Sequence, residues 1–301
     1  MTAKNKWTAL DIPDQTGKIV IVTGANSGIG YETARALAKK GAAVVMACRN
    51  LEKGAVAVEK IRTVEAKSEI AVMQLDLADL SSVRRFADEF KAQYDRLDVL
   101  VNNGGIMAVP KGKTVDGFEM HFGTNHLGHY ALTGLLFDVI TKTSQARVVT
   151  VSSYTHYFGN INFDDLSSKK SYQRWRAYGR SKLANLLFGY ELQRRLAANG
   201  HPPISIVVHP GYAATNLQRN TGLFRFANHI FAQSQAMGAL PTLYAAVSPD
   251  IKGGEYIGPD GFLGQRGYPQ VARSSRASHN EAVAKRLWEV SEDLTGVIYK
   301  L

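Results

Sequence analysis

Cysteine is almost absent from the chain. Cys48 stands alone among 301 residues, so no intramolecular disulfide can form and a disulfide-stapled secreted scaffold is excluded. Long apolar runs are missing too: no uninterrupted stretch approaches the roughly 20 residues needed to span a bilayer. The opening MTAKNKWTALDIPDQTGK lacks the apolar centre of a secretory signal, and the expected location is the cytoplasm. No internal repeat, low-complexity block or compositional break marks a second domain. Residues 1–16 read as a surface extension and residues 17–301 as one domain. Basic residues exceed acidic ones, for a net charge of +10, but they are scattered. Even the densest run, SSKKSYQRWRAYGR (167–180), completes no nucleic-acid motif, so no nucleic-acid partner is expected. The excess suits a solvated basic face and an attraction for small anions.

What is present is an ordinary globular composition, 45% hydrophobic and 21% charged, enough to bury a sizeable core. KIVIVT (18–23), AAVVMA (42–47), IAVMQL (70–75), LDVLVN (97–102), ARVVTVS (146–152) and ISIVVHP (204–210) are short runs rich in β-branched and other apolar residues. Such runs mark strands buried on both faces. Between them lie segments of helical period, including GYETARALAKKG (30–41) and LSSVRRFADEFKAQY (80–94). The alternation predicts repeated βαβ units: an α/β fold, doubly wound, with helices on both faces of a mostly parallel sheet.

The first strand runs into TGANSGIG (23–30) and then into a helix. Glycines in that context allow a sharp turn, a close approach of backbone to a pyrophosphate and tight packing of helix on strand; Gly24, Gly28 and Gly30 are assigned those tasks. The second strand ends in ACRN, with Arg49 19 positions after Gly30. An acidic residue there would accept from the ribose hydroxyl of NAD, whereas an arginine fork matches a 2′-phosphate. NADP(H) is therefore expected over NAD(H). Asp76, in LDLAD (75–79), is placed to hold the adenine edge.

YGRSKLAN (178–185) sets a tyrosine and a lysine four apart on one helical face. Leu183, Leu186, Leu187 and Tyr190 form a stripe turned about 100° away, facing the core or a second subunit. A free phenol has a pKa of about 10, and an adjacent ammonium is expected to lower it toward the range useful for proton transfer. His126 and His129 lack a third ligand, so no metal site is expected. Ser153 lacks the G-x-S-x-G context of a hydrolytic nucleophile.

TGANSGIG, NNGG, VSS, YGRSK and HPGYAAT occur in this order, and the ordered set resembles the classical short-chain dehydrogenase/reductase family from about residue 17 onward. ACRNLEKG, LDLADLSSVRRFA, YGRSKLANLLF and LWEVSEDLTG are similar to its retinol-dehydrogenase-like branch. The resemblance implies a Rossmann-type sheet of seven strands. It places the catalytic set on Ser153, Tyr178, Lys182 and Asn125. Ser153 would hold the substrate oxygen, Tyr178 would exchange the proton, Lys182 would hold the nicotinamide ribose and lower the tyrosine pKa, and Asn125 would position a water linking the lysine to solvent. Ser153 lies 25 positions before Tyr178, a separation that exceeds that of many members and is similar to that of this branch. The implied cofactor site comprises Thr23, Gly24, Asn26, Ser27, Gly28, Ile29, Gly30, Arg49, Asp76, Leu77, Asn103, Gly104, Pro210, Gly211 and Thr215, with Tyr178 and Lys182 shared. Gly104 departs from the alanine usual in NNAG.

Substrate choice is expected at about residues 212–243, where TGLFRFANHIFAQ (221–233) supplies Leu223, Phe224, Phe226, Ile230 and Phe231. That stretch reads as a lipophilic lid, a surface helix touching a membrane, or an ordinary packed helix. The expected activity is hydride transfer between NADP(H) and a lipophilic aldehyde, ketone or alcohol, in a homodimer or homotetramer. A cofactor-binding sensor without turnover and a pigment double-bond reductase similar to protochlorophyllide reductase are the alternatives.

Overall fold

The computed structural model describes residues 6–65, 68–212 and 233–301. Strands β1 (Ile19–Thr23), β2 (Ala43–Cys48), β3 (Ile70–Gln74), β4 (Val99–Asn102), β5 (Arg147–Val151), β6 (Ile204–Val208), β7 (Tyr256–Pro259) and β8 (Pro269–Val271) form one sheet in the order β3-β2-β1-β4-β5-β6-β7-β8. All neighbours are parallel except β7 and β8, which are antiparallel. The sheet thus has eight strands, not seven. The eighth is a three-residue edge that begins with Pro269 and leaves Gln270 and Val271 exposed, so it carries neither the length nor the apolar pattern of a buried strand.

Helices α1 (Gly28–Lys39), α2 (Leu51–Val64), α3 (Leu80–Gln93), α4 (Gly128–Leu135), α5 (Phe137–Thr141), α6 (Arg174–Ala198), α7 (Gln235–Val247) and α8 (Glu281–Thr295) divide between the faces. Val20 and Val22 point into a core shared with α1, α2 and α7, while Ile21 between them points into the opposite core with α3, α4, α6 and α8. Successive residues of a strand feed different layers, which is why β1 is apolar from Ile19 to Val22. At the N-terminus, Trp7 packs edge-on against Tyr244 of α7, with ring centroids 5.2 Å apart, and Ile12 enters the α1 core.

The α6 stripe is consumed within the chain. Leu183 and Leu187 pack with Phe122 and Leu127, and Leu186 and Tyr190 with Val207 and Tyr256. All four are buried by these contacts within the chain. No described helix is long and apolar enough to cross a membrane.

Candidate active site

The C-terminal ends of β1, β4, β5 and β6 surround a cavity of about 570 Å³. One wall is the turn between β1 and α1. Gly24 and Gly28 adopt φ of 65° and 64°, a region that side chains rarely enter. At Gly30 the constraint is space: a Cβ would lie 2.5 Å from Asn103 Nδ2 and 2.7 Å from the Gly24 carbonyl. Ser27 begins α1 without a side-chain cap, so the first-turn amides face the cavity end with no internal acceptor. Close backbone and free amides fit the pyrophosphate of a dinucleotide.

Thr23 lies beneath this wall, fully buried. Its hydroxyl accepts from the amides of Asn103 at 2.9 Å and Gly104 at 2.8 Å, and meets His129 Nε2 at 2.9 Å. His129 Nδ1 donates to the Asn125 carbonyl at 3.0 Å. Burial drives His129 down to about 4 and His126 to about 3, so both rings are neutral. Among the described residues no group of three potential metal ligands exists.

The opposite wall comes from β5 and α6. Gly179 lets the Ser153 turn lie directly on the helix, since a Cβ there would come within 2.7 Å of the Thr155 carbonyl. Tyr178, 6% exposed, is thereby brought beside Ser153. Burial pushes its phenol up to about 12, with the Ser153 hydrogen bond pulling the other way. The expected lowering by Lys182 is overridden, because desolvation penalises the phenolate and the ammonium lies 5.8 Å from the ring centroid. Lys182, 4% exposed, donates to the Val151 carbonyl at 3.0 Å, and burial brings it down to about 8. Asn125 sits in a π-helical turn, Phe122–Leu127. Its side chain donates to Ile106 O at 3.0 Å and Ser181 Oγ at 2.9 Å and accepts from Ile106 N at 2.9 Å. Single π turns inside helices are frequent at functional sites.

With this geometry established, the comparisons with known proteins decide the family. The short chain dehydrogenase model matches residues 18–224. The chain belongs to the short-chain dehydrogenase/reductase family. It is 43% identical to retinol dehydrogenase 11 of Homo sapiens, over 93% of this chain and 86% of that protein. It is 40% identical to retinol dehydrogenase 14 of Homo sapiens, over 94% and 87%. A solved structure of an uncharacterized protein from Mycobacterium Paratuberculosis superposes with a TM-score of 0.84 at 46% identity, covering 98% of this chain and all of that one. These relatives place the dehydrogenase in the retinol-dehydrogenase-like branch, as an oxidoreductase.

The dehydrogenase gathers Gly24, Asn26, Ser27, Gly28, Ile29, Gly30, Asn103, Gly104, Ser153, Tyr178, Lys182, Pro210 and Gly211 around the cavity. Thr23, Arg49, Asp76, Leu77 and Asn125 do not line it. Arg49 is exposed at the end of β2, and no hydrogen bond or ion pair engages its side chain among the described residues. The Asp76 carboxylate accepts from Ala78 N at 2.9 Å within its own turn, and Leu77 is part of the core. Thr215 and residues 221–232 lie outside the described residues.

Several lining residues of the dehydrogenase escape sequence reading. Gly105, Ile106, Met107, Tyr154, Thr155, Trp175 and Gln265 complete the wall with Val151, Ser152 and Tyr212. Trp175 had a signal, since it stands three before Tyr178 on the same helical face. Gln265 arrives from a loop after β7 and had none. Ser152, the first of the serine pair, donates to the Lys182 carbonyl at 2.8 Å and so locks α6 to β5.

Proposed function

We propose that this dehydrogenase interconverts the carbonyl and alcohol forms of a lipophilic substrate with NADP(H). The observation that carries the reading is the union, in one cavity, of a Ser153–Tyr178 pair and buried Lys182 with a glycine turn built for a pyrophosphate. When bound, a reduced nicotinamide supplies the hydride. Tyr178 stays protonated through the neutral range and delivers its proton to the carbonyl oxygen. Ser153 steadies that oxygen, and the Lys182 cation favours the phenolate left behind. In the oxidative direction Tyr178 takes the hydroxyl proton instead.

Arg49 supports the choice of NADP(H), because its uncommitted guanidinium stands where a bare ribose would need an acceptor. Ile106, Met107, Tyr154, Trp175 and Tyr212 in the cavity lining favour an apolar substrate body. The relatives' names, retinol dehydrogenase and, at 38% identity, polyprenol dehydrogenase of Homo sapiens, are those of enzymes of lipophilic alcohols.

The test follows NADPH absorbance against aliphatic, retinoid, steroid and aromatic carbonyls, with Tyr178→Phe as control. Turnover of lipophilic members by the wild type alone is the expected result. NADPH binding without turnover of any member would instead favour a sensor.

A further inference from the structure

Ser153 has to present its hydroxyl to the substrate oxygen, yet it sits at the start of a short turn, Tyr154–Phe158, rather than inside a strand or helix. Its Oγ accepts weakly from Thr155 N at 3.3 Å and meets Tyr178. The backbone at Ser153 is held more firmly. Its carbonyl accepts from His156 N at 3.0 Å and from His156 Nδ1 at 2.7 Å. On the far side of the same ring, Nε2 accepts from Ser275 N at 3.0 Å, 119 residues away in sequence.

His156 is 1% exposed and does not line the cavity. One ring nitrogen faces a carbonyl, which can only accept, and the other faces an amide N–H, which can only donate. These partners dictate the neutral ring protonated at Nδ1. Tyr157 and Tyr256 fix the ring plane, with centroids at 4.2 and 5.7 Å.

The segment on which the ring leans is anchored in turn. Ser274 Oγ meets Tyr190 OH of α6 at 2.8 Å and Ser278 Oγ at 2.8 Å, and Ser278 Oγ donates to Ser275 O at 2.6 Å. Tyr157 OH donates to Arg273 O at 2.9 Å. Helix α6 therefore holds both ends of a closed path: Tyr178 at the reaction centre, and Tyr190 supporting the strap that supports His156.

We propose that His156 is a positioning residue for the reaction, acting through the Ser153 carbonyl to aim the Ser153 hydroxyl at the substrate oxygen. The proposal rests on the carbonyl–alcohol reading above. Misplacing a group at a reaction centre by about 1 Å costs up to roughly 100-fold, so a ring that touches no substrate can still govern the rate.

The experiment compares His156→Ala, His156→Asn and His156→Gln, each with intact Ser153 and with Ser153→Ala, measuring kcat, KM, NADPH affinity and melting temperature. With Ser153 intact, His156→Ala is expected to lower kcat at least about tenfold, leaving NADPH affinity within about twofold. His156→Asn keeps a donor near the Nδ1 position and should retain more activity than His156→Gln, which reaches only toward Ser275. With Ser153→Ala already in place, removing the ring should cost less than about twofold further, because the two residues act as one unit. An equal loss in both backgrounds would make the ring a general structural element and overturn the proposal. If the alanine variant does not fold, the other two decide: activity in Gln equal to or above that in Asn overturns it. A wild type that binds NADPH but turns over no carbonyl would sink the underlying reading as well, which separates the two failures.

Discussion

Lys182 donates to the Val151 carbonyl at 3.0 Å while 96 parts in 100 of its surface are withheld from solvent, so the ammonium is paid for by the fold it sits in. Burial lowers its pKa from an ordinary 10.5 to about 8. The folded protein thus binds fewer protons than the unfolded chain between those values, and stability from this group rises with pH across that window. Below pH 8 the full cost remains. Lys182→Met is expected to be inactive yet more stable by roughly 1–3 kcal/mol at pH 7. The gap in melting temperature should close as pH approaches 10. A variant that melts at or below the wild type at pH 7 would show that the buried cation stabilises the fold.

The Lys182 shift, taken with that of Tyr178, predicts the pH profile of catalysis. Tyr178, at about 12, remains a proton donor well into the alkaline range, whereas Lys182 loses its charge near 8. Carbonyl reduction should decline through pH 8 as the cation disappears, with no separate fall from the phenol until far higher pH. Tyr178→Phe should lower kcat by about 100-fold or more while leaving NADPH affinity unchanged. A reduction rate flat to pH 10 would remove Lys182 from the charge balance.

Arg49 tests cofactor choice. Charge-assisted hydrogen bonds to a phosphate are worth about 1.5–3 kcal/mol, so Arg49→Ala should weaken NADPH roughly 10- to 100-fold and NADH less than about twofold. Titration by fluorescence of the bound dinucleotide measures both. Equal losses would dissociate Arg49 from the 2′-phosphate.

The six strands from β1 to β6 were legible because each is dominated by apolar residues, as Val20, Ile21 and Val22 divide between two cores. The glycine turn and the Tyr178/Lys182 pair were legible because their spacing is local. The electrostatics were not: burial raises the phenol against the pull of the Ser153 hydrogen bond, and both the burial and Ser153, 25 positions earlier, reach Tyr178 only through the fold. The π turn at Asn125 was equally hidden, since FGTNHLGHY reads as plain helix and the residue's bonds to Ile106 and Ser181 come from elsewhere in the chain. His156 carried a sequence signal only of nearness to Ser153; its partner Ser275 is long-range.

Two glycines that both approach Gly24 should answer substitution very differently. At Gly30 an added Cβ meets Asn103 Nδ2 at 2.5 Å and the Gly24 carbonyl at 2.7 Å, and neither can retreat: Asn103 Nδ2 donates to the Thr23 carbonyl at 2.8 Å, and Gly24 is turn backbone. At Gly104, the position where the family usually has alanine, the nearest atom is Leu77 Cδ1 at 2.9 Å, the far end of a flexible side chain. The next are Thr23 Oγ1 at 3.2 Å and Gly24 N at 3.3 Å, which must give by only a few tenths of an ångström. Gly104→Ala also gains from a less flexible unfolded chain, about 0.4–1 kcal/mol, which offsets the crowding. The expected result is a Gly104→Ala protein within about 1 kcal/mol of wild type that keeps its NADPH affinity, against a Gly30→Ala protein destabilised by about 2 kcal/mol or more with cofactor binding lost. Denaturant melts with and without NADPH distinguish them. Equal damage at both positions would mean that the Leu77 side chain is as fixed as the backbone of the turn.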